Sequence, residues 1–329
     1  MENIYKSSKI IKRYEKPILT KEDIPYPSSL TFNAGITKIK DKYIMLFRND
    51  YGVNQQEFEA GGHFEGTNIG YAESLDGLHF TVADKPCFAV KTDEIERVYD
   101  PRISCIDNEY YICCAMDTKH GILGAIYKTE DFKSFDFISK TAPDNRNMVL
   151  FPEKINGKYY RLERPMPIYS RGRDRFDIWI SSSPDMKFWG ESELVLAVED
   201  VPFSNDKIGP AAPPIKTDKG WLCTFHAVDI DEARGKNGWE KFWKKRYTIG
   251  IMLLDYENPS RVIGMSKLPL MVAEGDELSG GFRNNVLFPC ALIAEGDNVK
   301  MYYGVNDTYI ALAEFSIKSA LELCCDQRK

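Results

Sequence analysis

Two kinds of side chain stand out as able to do chemistry. One is a set of carboxylates next to strand-like segments: Asp50 in Arg48-Asn49-Asp50, Asp100 in Tyr99-Asp100-Pro101-Arg102, and Asp307 in Asn306-Asp307. The other is a set of cations that fall at the edges of the repeated strand units: Arg146 in Asn145-Arg-Asn147, Arg164 in Glu163-Arg-Pro165, Lys207 in Asp206-Lys-Ile208, and His226. Hydrolysis of a glycosidic bond calls for two working carboxylates, one as acid and one as base or nucleophile. Here the cations are as prominent as the acids. Arginine forks and a lysine point charge suit a phosphate-like oxyanion. An anionic nucleophile needs no general base, so one acid would suffice to help the leaving group depart. Gathering several cations without an anion is costly, so they either face water or share a ligand.

Positioning such groups takes a scaffold, and the chain contains a hairpin that recurs five times. An alternating apolar strand meets a polar turn and is followed by a strand rich in Tyr, Phe and Ile. The copies are Ala34–Ile39 with Tyr43–Arg48, Pro101–Ile106 with Tyr110–Ala115, Phe151–Ile155 with Tyr159–Arg164, Ala212–Lys216 with Trp221–His226, and Ala291–Ala294 with Val299–Tyr303. Turns such as Asn156-Gly157 and Asp218-Lys-Gly220 between alternating strands are hairpin signals. A third strand ends several units in a hydroxyl-x-Asp step before an aromatic, as in Ser74-Leu-Asp76 and Ser183-Pro-Asp185, and this reads as the bend into an outer strand. Antiparallel units of three or four strands repeated in this way predict an all-β fold, a five-bladed β-propeller forming a single domain over residues 1–329. Helix is expected only over Ser316 to Leu323. In a propeller the inner strands converge on a central funnel, and the acids and cations named above fall at strand ends, where they would point into it.

Composition narrows the function classes. Of 329 residues, 43% are hydrophobic and 28% charged, typical of a globular protein with a full core. The net charge of −6 argues against nucleic acid as a partner. Residues 1–13 are polar and lack the apolar stretch of a secretory signal, and no run is long enough to span a membrane, so a cytoplasmic protein with no membrane partner is expected. The eight cysteines include no C-x-x-C pair, and the four histidines have no metal-ligand spacing. Neither a disulfide framework nor a metal is therefore expected. His63 and His79 read as surface residues, while His120 either reaches the funnel or caps a turn. Trp239 and Trp243, in the charged stretch 229–246, point either to a solvated loop or to an acceptor or subunit contact.

Phe32-Asn-Ala-Gly35, Leu46-Phe-Arg-Asn-Asp50, Gly66-Thr-Asn-Ile-Gly70, Tyr99-Asp-Pro-Arg102, Phe151-Pro-Glu-Lys154, Glu163-Arg-Pro165, Ile208-Gly-Pro210 and Thr224-Phe-His226 occur in an order that resembles glycoside hydrolase family 130, the inverting β-mannoside phosphorylases. The resemblance implies a five-bladed propeller, in agreement with the repeat count. It implies that Asp100 is the catalytic acid, acting through the 3-hydroxyl of the bound mannose, while phosphate attacks the anomeric carbon and yields α-mannose 1-phosphate. It assigns Arg146, Arg164, Lys207, His226 and Tyr247 to phosphate, and Asn33, Arg48, Asp50, Tyr99 and Asp307 to the mannosyl residue. Arg102 is grouped with these sugar-side residues as the partner that orients Asp100. No cofactor is implied, since phosphate is a co-substrate. The partners are a β-mannoside, with β-1,4 favoured and β-1,2 open, and phosphate. Homo-oligomers are common in that family, so self-association is also expected. The alternatives are a hydrolase using Asp50 or Asp307 as second carboxylate, and a non-catalytic glycan-binding propeller.

Overall fold

The computed structural model describes residues 4–167, 172–234, 238–240 and 243–325. Strand β1 (Lys12–Arg13) is followed by blade I: β2 (Leu30–Ile39), β3 (Lys42–Tyr51), β4 (Gly66–Ser74) and β5 (Thr81–Val82). Blade II comprises β6 (Ile95–Ile106), β7 (Glu109–Thr118), β8 (Gly121–Thr129) and β9 (Asp136–Lys140). Blade III comprises β10 (Asn145–Leu150), β11 (Tyr159–Pro165), β12 (Ile178–Ser183) and β13 (Gly190–Leu196). Blade IV comprises β14 (Lys207–Pro210), β15 (Ile215–Thr217), β16 (Gly220–Ile230), β17 (Lys245–Leu254) and β18 (Val262–Met265). Blade V comprises β19 (Leu287–Glu295), β20 (Asn298–Val305) and β21 (Tyr309–Ser316), and β1 pairs with β21 to supply its outer strand. A five-bladed β-propeller results. Its ring is closed by sequence-distant residues: Lys12 sits opposite Glu314, and Arg13 opposite Ala313.

Each of the five larger apolar clusters lies between two neighbouring blades. Ile44, Leu46 and Ile69 of blade I pack on Val98, Ile103 and Ile112 of blade II. Leu162 and Ile180 of blade III pack on Trp221, Cys223 and Phe225 of blade IV. Met45 and Phe47 meet Tyr302 and Leu312 across the closing joint between blades V and I. Both faces of most blades are therefore covered, which explains why central strands such as Gly220–Asp229 are buried at every position instead of alternating.

The recurrent hydroxyl-x-Asp step is the bend between third and fourth strands. Asp76, Asp131 and Asp185 each accept two backbone N–H bonds from residues two and three positions on, at 2.7–3.0 Å. The reading of the inner strands needs correction in two blades. In blade III the inner strand is Asn145–Leu150, and the Phe151–Ile155 segment contributes one further bond, from Phe151 N–H to Tyr160 O at 3.0 Å, and a bridge from Ile155 to Lys158. In blade IV the inner position is held by Lys207–Pro210, with Ile215–Thr217 resuming beyond a gap. Prolines explain both: Pro152 and the pair Pro213-Pro214 lack the N–H that a ladder needs. Helix α1 (Gln55–Glu59) lies in the β3–β4 loop, capped by Asn54, and α2 (Ile317–Cys325) follows the last strand, close to the expected span.

Candidate active site

The first strands of all five blades are broken near mid-length. Register shifts fall between Phe32 and Gly35, Tyr99 and Arg102, Arg146 and Val149, and Pro289 and Ala291, with the β14–β15 gap in the fifth. In blades I to III a left-handed residue occupies the break: Asn33 (φ 51°), Asp100 (φ 55°) and Asn147 (φ 59°). Asn and Asp tolerate this conformation better than other side-chain-bearing residues, and a bulge re-aims the side chain out of the pleat. All three line one central cavity, together with Arg48, Arg146, Arg164, Lys207, His226, Tyr247, Arg283 and Asp307. Glycines make room: a Cβ on Gly304 would lie 2.4 Å from Asn33 Oδ1, and one on Gly209 2.4 Å from His226 Cε1.

Asp100 is held from one side. Asn33 Nδ2 donates to its Oδ1 at 3.1 Å, and Arg48 Nη1 approaches the same oxygen at 3.4 Å. Burial would raise the Asp100 carboxyl, but the charges of Arg48, Arg102 and Arg146 and the Asn33 bond together hold it below the usual range. Arg102 makes its own bonds elsewhere, to the carbonyls of Ala211 at 2.8 Å and Pro101 at 2.9 Å. It acts on Asp100 through charge, and the orienting contacts come from Asn33 and Arg48.

Behind Arg48 lies a second layer. Its guanidinium forks onto Asp50 at 2.6–3.0 Å and stacks between the rings of Phe32 (4.5 Å) and Tyr99 (4.6 Å). Asp50 is 2% exposed and also accepts from Thr67 Oγ1 at 2.6 Å. Tyr99 is fully buried. Of the six residues expected at the sugar, Asn33, Arg48 and Asp307 line the cavity, while Asp50, Tyr99 and Arg102 stand behind it as supports.

The cations converge as the sequence suggested. Arg146 and Arg164 are register partners across β10–β11, Lys207 opens β14, His226 lies within β16, and Tyr247 follows on β17. Arg164 is 4% exposed, its Nε is buried without a hydrogen bond, and it forms no ion pair among the described residues. Burial first, then repulsion from Arg146, pulls it down to about 10. Lys207 likewise forms no ion pair among the described residues; burial, then Arg164 and Lys245, lower it to about 7. His226 is fully buried and stacked on Phe288 (4.6 Å) and Tyr247 (5.8 Å). Burial and the adjoining cations hold it well below the usual imidazole range, so it is neutral. Tyr247 is raised by burial to about 12 and keeps its proton.

Two polar cavity residues had not been singled out. Asn147 places Nδ2 3.5 Å from His226 Nε2. Arg283 binds Asp307 at 3.2 Å and Glu240 at 2.7 Å, with Trp243 and Phe282 flanking its guanidinium. His120 stays out of the cavity: it is exposed on the β7–β8 turn and bound to Glu94 at 2.7 Å. His63 and His79 are exposed. Within 229–246 the described tryptophans pack against the protein, Trp239 buried and Trp243 half-buried. Trp239 is 7% exposed among Phe58, Phe282 and Phe32, and Trp243 donates to Asn284 O and stacks on Tyr247. Lys241 and Phe242 lie outside the described residues. Among the described residues no cluster of three His, Cys, Asp or Glu could hold a metal, and no helix is long and apolar enough to cross a membrane.

This arrangement, one oriented carboxylate sharing a cavity with uncompensated cations on a five-bladed ring, can be set beside known proteins. The sequence profile of glycoside hydrolase family 130, described as beta-1,4-mannooligosaccharide phosphorylase, matches residues 18–326. The chain belongs to glycoside hydrolase family 130. Among its relatives, a beta-1,2-mannobiose phosphorylase of Listeria innocua is 34% identical over 261 residues, covering 78% of this chain and 69% of that one. A beta-1,4-mannooligosaccharide phosphorylase of Ruminococcus albus is 32% identical over 326 residues, covering 95% and 90%. The solved Listeria innocua beta-1,2-mannobiose phosphorylase, in complex with beta-1,2-mannobiose, superposes with a TM-score of 0.81 at 27% identity over 95% of this chain and 99% of that one. As a family 130 member, the chain carries its distinctive cations on strands β10, β11 and β14 and not on loops, so their spacing is set by blade geometry.

Proposed function

We propose that this chain is a β-mannoside phosphorylase: it transfers a mannosyl group from a β-mannoside to inorganic phosphate, with inversion, giving α-mannose 1-phosphate. The carrying observation is Arg164, buried without an ion pair among the described residues, next to Lys207 and Arg146. A buried cation of this kind calls for an anionic ligand. Phosphate held by Arg146, Arg164 and Lys207 attacks the anomeric carbon, and His226, Tyr247 and Asn147 complete the cradle. Asn33, Arg48 and Asp307 hold the sugar. Asp100 supplies the proton for the leaving oxygen through the mannose 3-hydroxyl. In the empty site Asp100 is an anion, and Arg146 is one of the charges that keep it so. Phosphate seated on Arg146 cancels part of that charge, so the proton affinity of Asp100 rises when the nucleophile is in place.

Hydrolysis fits less well. Asp50 is committed to Arg48 and Thr67, and Asp307 to Arg283, which leaves neither free to activate water. A neutral glycan alone would not require Arg164 and Lys207. Relatives acting on β-1,2 and on β-1,4 mannosides match at similar identity, so the linkage is decided by the substrates offered. The reading takes the five blades as one domain, and eight free cysteines support a reducing, cytoplasmic setting. The test is release of α-mannose 1-phosphate from β-1,2- and β-1,4-mannobiose with and without phosphate. Sugar release at the same rate in phosphate-free buffer rules the proposal out.

A further inference from the structure

Asp117, near the end of β7, does not line the cavity, yet a continuous chain of hydrogen bonds connects it to the cation cluster. Its Oδ2 accepts from Arg97 Nε at 2.8 Å, across a β6–β7 register pair. Its Oδ1 accepts from the Tyr99 hydroxyl at 2.7 Å. The same phenol oxygen accepts from Arg146 Nη2. Tyr99 is fully buried, and its ring has three guanidiniums around it: Arg48 at 4.6 Å, Arg97 at 4.8 Å and Arg146 at 5.4 Å.

The polarity of this chain is fixed by elementary donor counting. A phenol carries one hydrogen, and burial pushes Tyr99 up to about 12, so that hydrogen stays on. A carboxylate can only accept, and a guanidinium can only donate. Asp117 therefore takes the phenol hydrogen and turns the oxygen lone pair towards Arg146. No other hydrogen bond from the Arg146 guanidinium is made among the described residues. Without Asp117 the hydroxyl is free to rotate its hydrogen towards Arg146, where it would oppose the guanidinium.

We infer that Asp117 is a positioning residue for the nucleophile: acting through Tyr99, it holds Arg146 in the orientation that receives phosphate. This rests on the phosphorylase reading and extends it beyond the cavity wall to a residue that touches neither substrate.

The prediction separates phosphate from sugar. In Asp117→Asn the KM for phosphate rises roughly tenfold, the size expected when a charge-assisted hydrogen bond is lost. The mannoside KM stays within about twofold, since Arg48 and Asn33 are untouched. Tyr99→Phe produces a similar rise. Because Asp117 acts through Tyr99, the double variant is no worse for phosphate than Tyr99→Phe alone. Equal rises in both KM values, or additive effects in the double variant, overturn the inference. Should Asp117→Asn fail to fold, Tyr99→Phe decides: an unchanged phosphate KM there also overturns it. The two levels fail differently. Phosphate-independent turnover by the unaltered protein defeats the phosphorylase reading, whereas unshifted variants in a phosphate-dependent enzyme defeat only the role of Asp117.

Discussion

Lys207 provides the sharpest quantitative consequence of the site. Its amine is brought down from 10.5 to about 7, because burial and the repulsion of Arg164 and Lys245 outweigh the attraction of Asp206. Near neutrality the empty protein is thus a mixture of ammonium and amine, and only the ammonium form attracts a dianion strongly. Sulfate is the appropriate probe, since it remains a dianion throughout the range while phosphate itself titrates. If binding selects the protonated form, the apparent dissociation constant scales with one plus the ratio of amine to ammonium. For a group at about 7, that is roughly a tenfold loss of affinity between ~pH 6 and ~pH 8. Near neutrality, each sulfate bound should take up about half a proton from the buffer. Three neighbours stay in one form across that range: Arg164 charged at about 10, Tyr247 neutral at about 12, and His226 neutral from below.

Titration calorimetry in buffers of differing ionisation heat reads both quantities at once. Lys207→Arg keeps a permanent charge and should abolish the pH dependence. A flat sulfate affinity from ~pH 6 to ~pH 8.5 in the unaltered protein, or a slope that survives in Lys207→Arg, refutes the argument. Stability of the empty protein runs the opposite way with pH. The unfolded chain keeps the lysine proton up to about 10.5 and the folded chain only to about 7, so between these values the unfolded state binds more protons. The contribution of this group therefore makes the empty protein more stable as pH rises through that window, and saturating sulfate should remove the trend.

Asp100→Asn should lower both phosphorolysis and the reverse synthesis from α-mannose 1-phosphate by at least about a hundredfold, the scale of general acid catalysis; activity within a few fold of the unaltered enzyme would assign the acid elsewhere. Arg164→Met removes a buried, unpaired charge, so it should stabilise the anion-free protein by on the order of 1–3 kcal/mol and raise its melting temperature, while phosphate no longer protects; a lower melting temperature would mean that Arg164 has a structural partner. Gly304→Ala would set a Cβ 2.4 Å from Asn33 Oδ1; displacing the amide that holds Asp100 should cut kcat and leave the phosphate KM unchanged, and an equal loss in both would place the damage outside the acid side.

What could be read without coordinates divides along a physical line. The five hairpins were legible because turn chemistry is local: Asp107-Asn108 and Asn156-Gly157 occupy left-handed positions that few residues accept, and they announce themselves. The cations were legible because Arg146, Arg164 and Lys207 each fall at or next to a strand end, where the repeat aims residues at the funnel. The true inner strands of blades III and IV were not, because Pro152 and Pro213-Pro214 displace the ladder from the apolar run that marks it. The division of the sugar-side set into wall and support was also hidden. Nothing in Tyr99-Asp100-Pro101-Arg102 says that, around a bulge, only Asp100 turns inward. Arg283 had no local signal, since it lies between blades in a stretch marked only by Gly280-Gly281. Asn147 was hidden as well: the repeat read from the sequence sets Leu150 beside Asn33 and Asp100, and only superposing the folded blades puts Asn147 there.

That superposition carries the larger argument. Blades I, II and III each place one short polar residue at the same bulge: Asn33, Asp100 and Asn147. The scaffold therefore presents three equivalent inward positions, and their chemistry is differentiated by neighbours and not by backbone. Asn33 faces Asp100 and holds it; Asn147 faces His226 and the cations. Only the middle position bears a carboxylate, and Arg48 and Arg146 both act on it. An acid placed at the blade III position would sit among Arg164 and Lys207 and neutralise the anion site; at the blade I position it would face Asp100 as a like charge. The distribution of one acid and two amides over three equivalent bulges is thus the arrangement that keeps the cation cluster open for an anionic nucleophile while leaving a single oriented acid beside it.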